Sequence, residues 1–158
     1  MNKKLRIGAL CVGLCLGAAG CTTVRDTRGP VEYFPEKDPG AAYSAAVRVG
    51  DVLYLTGQIG TRPDGSLPDS VQEQSRLTME NLSAELKSHG SSLDDVFKCT
   101  VMLDDISTWA DFNKVYVTYF KPGRLPARDA FGVEGLALPG LKVELVCMAY
   151  SPPAHRGH

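Results

Sequence analysis

Two charged residues mark the chemistry open to this chain of 158 residues. Arg128 follows a Pro-Ala turn at the head of a strand-like run, and Glu144 interrupts the otherwise apolar run "VELVCMAY". A guanidinium offers a planar fork of donors that grips a carboxylate through two parallel hydrogen bonds, with a charge that does not titrate away. A carboxylate beside a reacting centre can accept a proton from water and return it to a leaving group. One residue would bind an acid and the other would handle a water. The plainer fates are a surface ion pair of Arg128 with Asp129 or Glu134, and a solvated Glu144 beside Lys142. His89, His155 and His158 show no ligand spacing with Cys99 or Cys147, so no metal site is expected.

The elements that must position these residues can be read from periodicity. "AAVRV" and "VLYLTGQ" are β-prone runs joined by Gly50-Asp51, a hairpin signal. Gly57 interrupts the second run, which predicts a bulge or a close backbone approach. From Val71 to His89 the residues Ser75, Met79, Leu82 and Leu86 share one helical face, and Gly90 stands at the stop position. "DDVFKCTVMLDD" reads as a strand with Phe97, Cys99, Val101 and Leu103 on its apolar face. A second helix is predicted from Ser107, its cap, with Trp109, Phe112, Tyr116 and Tyr119 or Phe120 as a packing stripe. Strands near Ala127–Val133 and through "LKVELVCMAY" complete the order β-β-α-β-α-β-β, a two-layer α+β sandwich. In the last strand Val143, Leu145, Cys147 and Ala149 form one face. The other face still carries Val146 and Met148 beside Glu144, and no helix remains to cover it. That predicts a subunit interface.

Residues 1–21 belong to a different kind of segment. Lys3, Lys4 and Arg6 precede 14 uncharged, mostly apolar residues, and the segment ends "LGAAGC" at Cys21. This resembles a bacterial lipoprotein signal in which Cys21 becomes the lipidated N-terminus, although Ala18 stands where Leu is usual; an ordinary secretory signal is the alternative. The expectation is an exported protein held at the periplasmic side of a membrane by lipid alone, with an outer-membrane location open. Residues 22–42, with three prolines and no period, read as a tether; 43–150 form the domain and 151–158 a tail. The leader removes three of the 17 basic residues and none of the 18 acidic ones. That leaves 14 against 18, a net charge of −4, which argues against a nucleic-acid partner. Cys99 and Cys147 are expected as buried free thiols, although an oxidising compartment would permit a disulfide.

Five segments then occur in order: "YSAAVRVGDVLYLTGQIG", "NLSAELKSHGSSLDDVFKCTVMLDD", "FNKVYVTYF", "LPARDAF" and "KVELVCMAY". Together they resemble the RidA (YjgF) family of enamine/imine deaminases, from Tyr43 to Tyr150. The resemblance implies a chorismate-mutase-like α+β fold and a homotrimer whose sheets pack inward around three inter-subunit clefts. It implies hydrolysis of small 2-imino acids to 2-keto acids and ammonia, without metal or organic cofactor. Arg128 would hold the substrate carboxylate and Glu144 would position the water. Tyr43, Thr56, Gly57 and Ala130 would line the cleft, and Asn113 matches a helix asparagine of structural or binding role. Three departures stand out. Gly60 replaces a common Pro, Asp129 and Ala130 replace the Ser or Thr and the Cys that follow the arginine, and the segment from Arg128 to Glu144, with two Gly-Leu steps, is offset from the best-known members. The competing reading is a binding module of the same fold that recognises small carboxylates without turnover. A ribonuclease activity, also ascribed to the family, is disfavoured by the net charge.

Overall fold

The computed structural model describes residues 31–152. Strand β1 (Glu32–Pro35) opens the chain, followed by β2 (Ser44–Val49), β3 (Val52–Leu55) and β4 (Gln58–Ile59). Helix α1 (Val71–Ser88) comes next, then β5 (Val96–Leu103), α2 (Trp109–Tyr116), β6 (Ala127–Gly132) and β7 (Val143–Tyr150). One mixed sheet runs β1-β2-β3-β7-β5-β6, with β4 also paired to β7, and both helices lie on one face. This is the expected two-layer α+β sandwich, with two more strands than the sequence pattern revealed. One of them, β1, falls within residues 22–42, read from sequence as a tether. Four residues with no alternation gave no signal, and pairing with β2 makes them a strand.

Sequence and structure agree closely along α1. Ser70 caps its start, its Oγ accepting from the Glu73 N–H, and Ser75, Met79, Leu82 and Leu86 are all fully buried. At its end Ser91 N–H reaches Leu86 C=O and Gly90 N–H reaches Lys87 C=O. This termination requires a left-handed residue, and Gly90 supplies it with φ +74°. Helix α2 begins later than expected. Asp105, not Ser107, accepts the capping hydrogen bond, and it caps a short 3₁₀ turn, Ile106–Thr108, ahead of α2.

Two strand expectations are corrected. Phe97 does not share the buried face with Cys99, Val101 and Leu103. A register shift against β7 between Val96 and Lys98 puts Val96 in the core and leaves Phe97 exposed. Cys99 and Cys147 are not free thiols. They are directly opposed on β5 and β7, with Cα atoms 4.2 Å apart, and form a buried disulfide. Spacing along the chain does not reveal a cross-strand register, and register alone brings these two together.

The sheet face away from the helices is half exposed. Register sets Tyr33, Val47, Tyr54, Met148 and Lys98 in one row across it, with Val146 and Glu144 further along β7. The opposite corner of the helix side holds a buried cation. Arg48 pairs with Glu32 at 2.5 Å and donates to His89 C=O at 3.1 Å and Ser151 Oγ at 3.2 Å. A positive charge at the C-terminal end of α1 complements the helix dipole there.

Candidate functional site

Arg128 is placed by β6, which runs parallel to β5 with Arg128 opposite Cys99. Paired residues share a face, so its side chain points to the helix layer, as that of Cys99 does. There Nη2 donates to Asn113 Oδ1 at 2.8 Å. The guanidinium carbon lies 4.3 Å from the Trp109 ring, 4.3 Å from Tyr116 and 5.7 Å from Phe112. Nη1 is enclosed without a partner, and no described carboxylate pairs with the group. Burial pulls the Arg128 pKa below its ordinary value. It also pushes Tyr116 up to about 12, against a smaller opposing pull from Arg128. Neither of the plain ion pairs, with Asp129 or Glu134, forms. Strand alternation turns Asp129 to the other face, where it pairs with Lys98 at 2.5 Å. Ala130 returns to the Arg128 face and packs against the core.

Glu144 is placed by β7, opposite Met102 on β5 and Ile59 on β4. Its position is offset by three residues from Cys147, so it projects to the face without helices. The strand beside it is broken at Thr56–Gly57. The pairing Tyr54–Met148 becomes Gln58–Leu145, which inserts one residue on the β3–β4 side. Glu144 fills the room this creates. A Cβ on Gly57 would sit 1.9 Å from Glu144 Oε1, so the carboxylate lies directly over the Gly57 backbone. Both readings of Gly57, bulge and close approach, hold. Thr56 N–H bonds Ala45 C=O, and Tyr43, two residues before Ala45, is 61% exposed. Gly60 is buried, and a Cβ there would lie 2.3 Å from Gln74 O on α1.

The expected site residues therefore fall into two groups. Arg128, Asn113 and Ala130 stand at the β6 edge on the helix side. Glu144, Gly57 and Thr56 stand on the opposite face, with Tyr43 exposed beside Thr56's partner strand. One chain does not bring Arg128 and Glu144 together. Cys21, the expected lipid site, lies outside the described residues. Among the described residues no three His, Cys, Asp or Glu side chains cluster to hold a metal ion. The sequence reading assigned Trp109 and Tyr116 to packing only. Their spacing with Asn113 (109, 113, 116) already set them on one helical face, but nothing in the sequence showed that Arg128 lies against it.

Solved structures share this architecture. RidA from the Antarctic bacterium Psychrobacter matches with a TM-score of 0.66 and 33% identity, over 78% of this chain and 99% of that one. A YjgF family member from Neisseria meningitidis matches with a TM-score of 0.68 and 26% identity, over 79% and 98%. The fold is thus the YjgF type of α+β domain. The family model described as Endoribonuclease L-PSP matches residues 35–151, and this chain belongs to that family. Among curated relatives, the rat 2-iminobutanoate/2-iminopropanoate deaminase is 40% identical over 121 residues, 74% of this chain and 87% of its own length. The chloroplastic Reactive Intermediate Deaminase A of Arabidopsis thaliana is 33% identical over 118 residues, 72% of this chain and 62% of its own.

Proposed function

We propose that this protein hydrolyses small 2-imino acids to 2-keto acids and ammonia, at a site completed between two copies of the chain. The observation that carries the reading is the split site: an arginine with no counter-carboxylate on one face, and a carboxylate seated over a glycine on the other. Arg128 of one copy holds the substrate carboxylate. Glu144 of a neighbouring copy accepts a proton from water as its oxygen bonds to the C=N carbon. Glu144 then delivers that proton to nitrogen, giving the carbinolamine; it next takes the hydroxyl proton as the C=O bond forms and passes it to the amine, so that the C–N bond breaks and ammonia and the 2-keto acid leave. The half-exposed row of Tyr54, Val146 and Met148 supports packing of the sheets of three copies against one another. The names of the rat and Arabidopsis relatives support the substrate class. The binding-module reading loses the support of Asp129, which faces away from Arg128 and onto Lys98. We place the domain outside the cytoplasm, tethered through Cys21; the Cys99–Cys147 disulfide is consistent with an oxidising compartment.

Complementation tests the shared site. 2-Iminobutanoate is generated in situ by an amino-acid oxidase, and the surviving imine is trapped with semicarbazide. Arg128→Ala and Glu144→Gln should each lose at least about a hundredfold in hydrolysis. Unfolded together in equal amounts and refolded, they should recover up to about a quarter of wild-type activity, since half the copies supply each intact residue at a ring interface. No recovery, with wild type active after the same refolding, would show that the two residues do not meet between copies. Full activity in the Arg128 variant would end the reading altogether.

A further inference from the structure

Arg128 is a partly buried cation that no acid among the described residues neutralises. A guanidinium withdrawn from water usually regains its lost hydration from a carboxylate partner. Here the compensation comes from aromatic faces and one amide oxygen. Trp109 and Tyr116 are two helical turns apart, about 10 Å along α2. The guanidinium carbon lies 4.3 Å from both ring centres and so sits between them. Ring faces attract a cation without cancelling its charge. A carboxylate in their place would compete directly with a substrate carboxylate. The two walls differ in their other duties. Tyr116 is 2% exposed and belongs to the core, whereas Trp109 is half exposed at the start of the helix. Asn113, between them on the same face, fixes the rotation of the group through Nη2.

Building on the carboxylate-binding role given to Arg128, we propose that Trp109 is a positioning residue for substrate binding. It closes the outer wall of an aromatic clamp that holds the guanidinium flat against α2 with its charge uncompensated. The substrate carboxylate then meets an arginine already fixed in place. Without Trp109 the guanidinium keeps Tyr116 and the more distant Phe112 but gains a free path to water, where it is better solvated and worse placed. The loss is felt equally by bound substrate and by the transition state, because the carboxylate takes no part in bond changes. It therefore appears in KM and not in kcat.

The probe is 2-oxobutanoate, measured by calorimetry on the intact assembly, alongside imine-hydrolysis kinetics. Trp109→Leu should weaken 2-oxobutanoate binding about tenfold, or about 1.4 kcal/mol, and raise KM by a similar factor while kcat changes by less than about threefold. Trp109→Phe, which restores a ring face, should recover most of that loss. Binding by the Leu variant equal to wild type, with Arg128→Ala unable to bind, would overturn the clamp and leave the carboxylate role of Arg128 standing. Undiminished binding by Arg128→Ala would overturn both. Should the Leu variant not fold, the wild-type protein decides. Trp109 is the single tryptophan of the chain, so its emission must change as 2-oxobutanoate saturates Arg128. Unchanged emission at calorimetric saturation would overturn the proposal.

Discussion

Gly57 and Glu144 show how one missing side chain can make room for another. The Glu144 carboxylate occupies the space where any larger residue at 57 would place its Cβ, 1.9 Å from Oε1. Gly57→Ala must therefore evict the carboxylate. Glu144 is half exposed on a face without helices, so it can swing aside without disturbing the core. The expected outcome is a loss of about a hundredfold in imine hydrolysis with thermal stability changed by less than about 1 kcal/mol. Hydrolysis rates and melting curves measured together check this. Retained activity would mean that the carboxylate acts from some other position. This relation was half legible in the sequence. Glycine after a strand signalled a close approach, but the partner depends on the pairing of β4 with β7, which two residues of strand are too short to announce.

At the scale of elements, the strand pair β5–β7 is the structural centre. It carries the disulfide, the inward residues Val101, Leu103, Val143 and Leu145, and the register that assigns faces to Arg128 and Glu144. Alternation along β7 was plain in the sequence, as was the buried stripe of α1, because both periods persist for many residues. Register between strands was not, since it is set by contacts between segments far apart in the chain. For that reason Phe97 and the two cysteines were misread, while the inward face of β7 was read correctly. The same gap hid the split of the site: Arg128 and Glu144 are simply two polar residues on two strands until β5 relates them. The disulfide closes a separation of 48 residues. A Cys99→Ala, Cys147→Ala double variant should lose about 2–4 kcal/mol of stability, read as a lower midpoint in urea with a slope that rises as the denatured chain expands. An unchanged midpoint would show that packing alone secures the pair.

Over the whole molecule, Arg48 joins parts that are distant in sequence. One Nη bonds Glu32, near the start of the described chain, and the other bonds Ser151, near its end. Glu32 and Ser151 therefore meet on a single guanidinium, at a corner that also receives the end of α1. They sit on the β1 side of the sheet, with four strands between that edge and the Arg128 edge at β6. In backbone terms the span 32–151 is almost a closed ring. A variant in which residue 151 is joined to residue 32 by a short Gly-Ser bridge and the chain is reopened in the exposed turn between Asp64 and Gly65 should fold with a melting temperature within a few degrees of the parent. A collapse of stability would show that the order of the segments matters to the fold. The same closeness governs how force reaches this span: a pull on Glu32 against Ser151 loads Arg48 and its partners first.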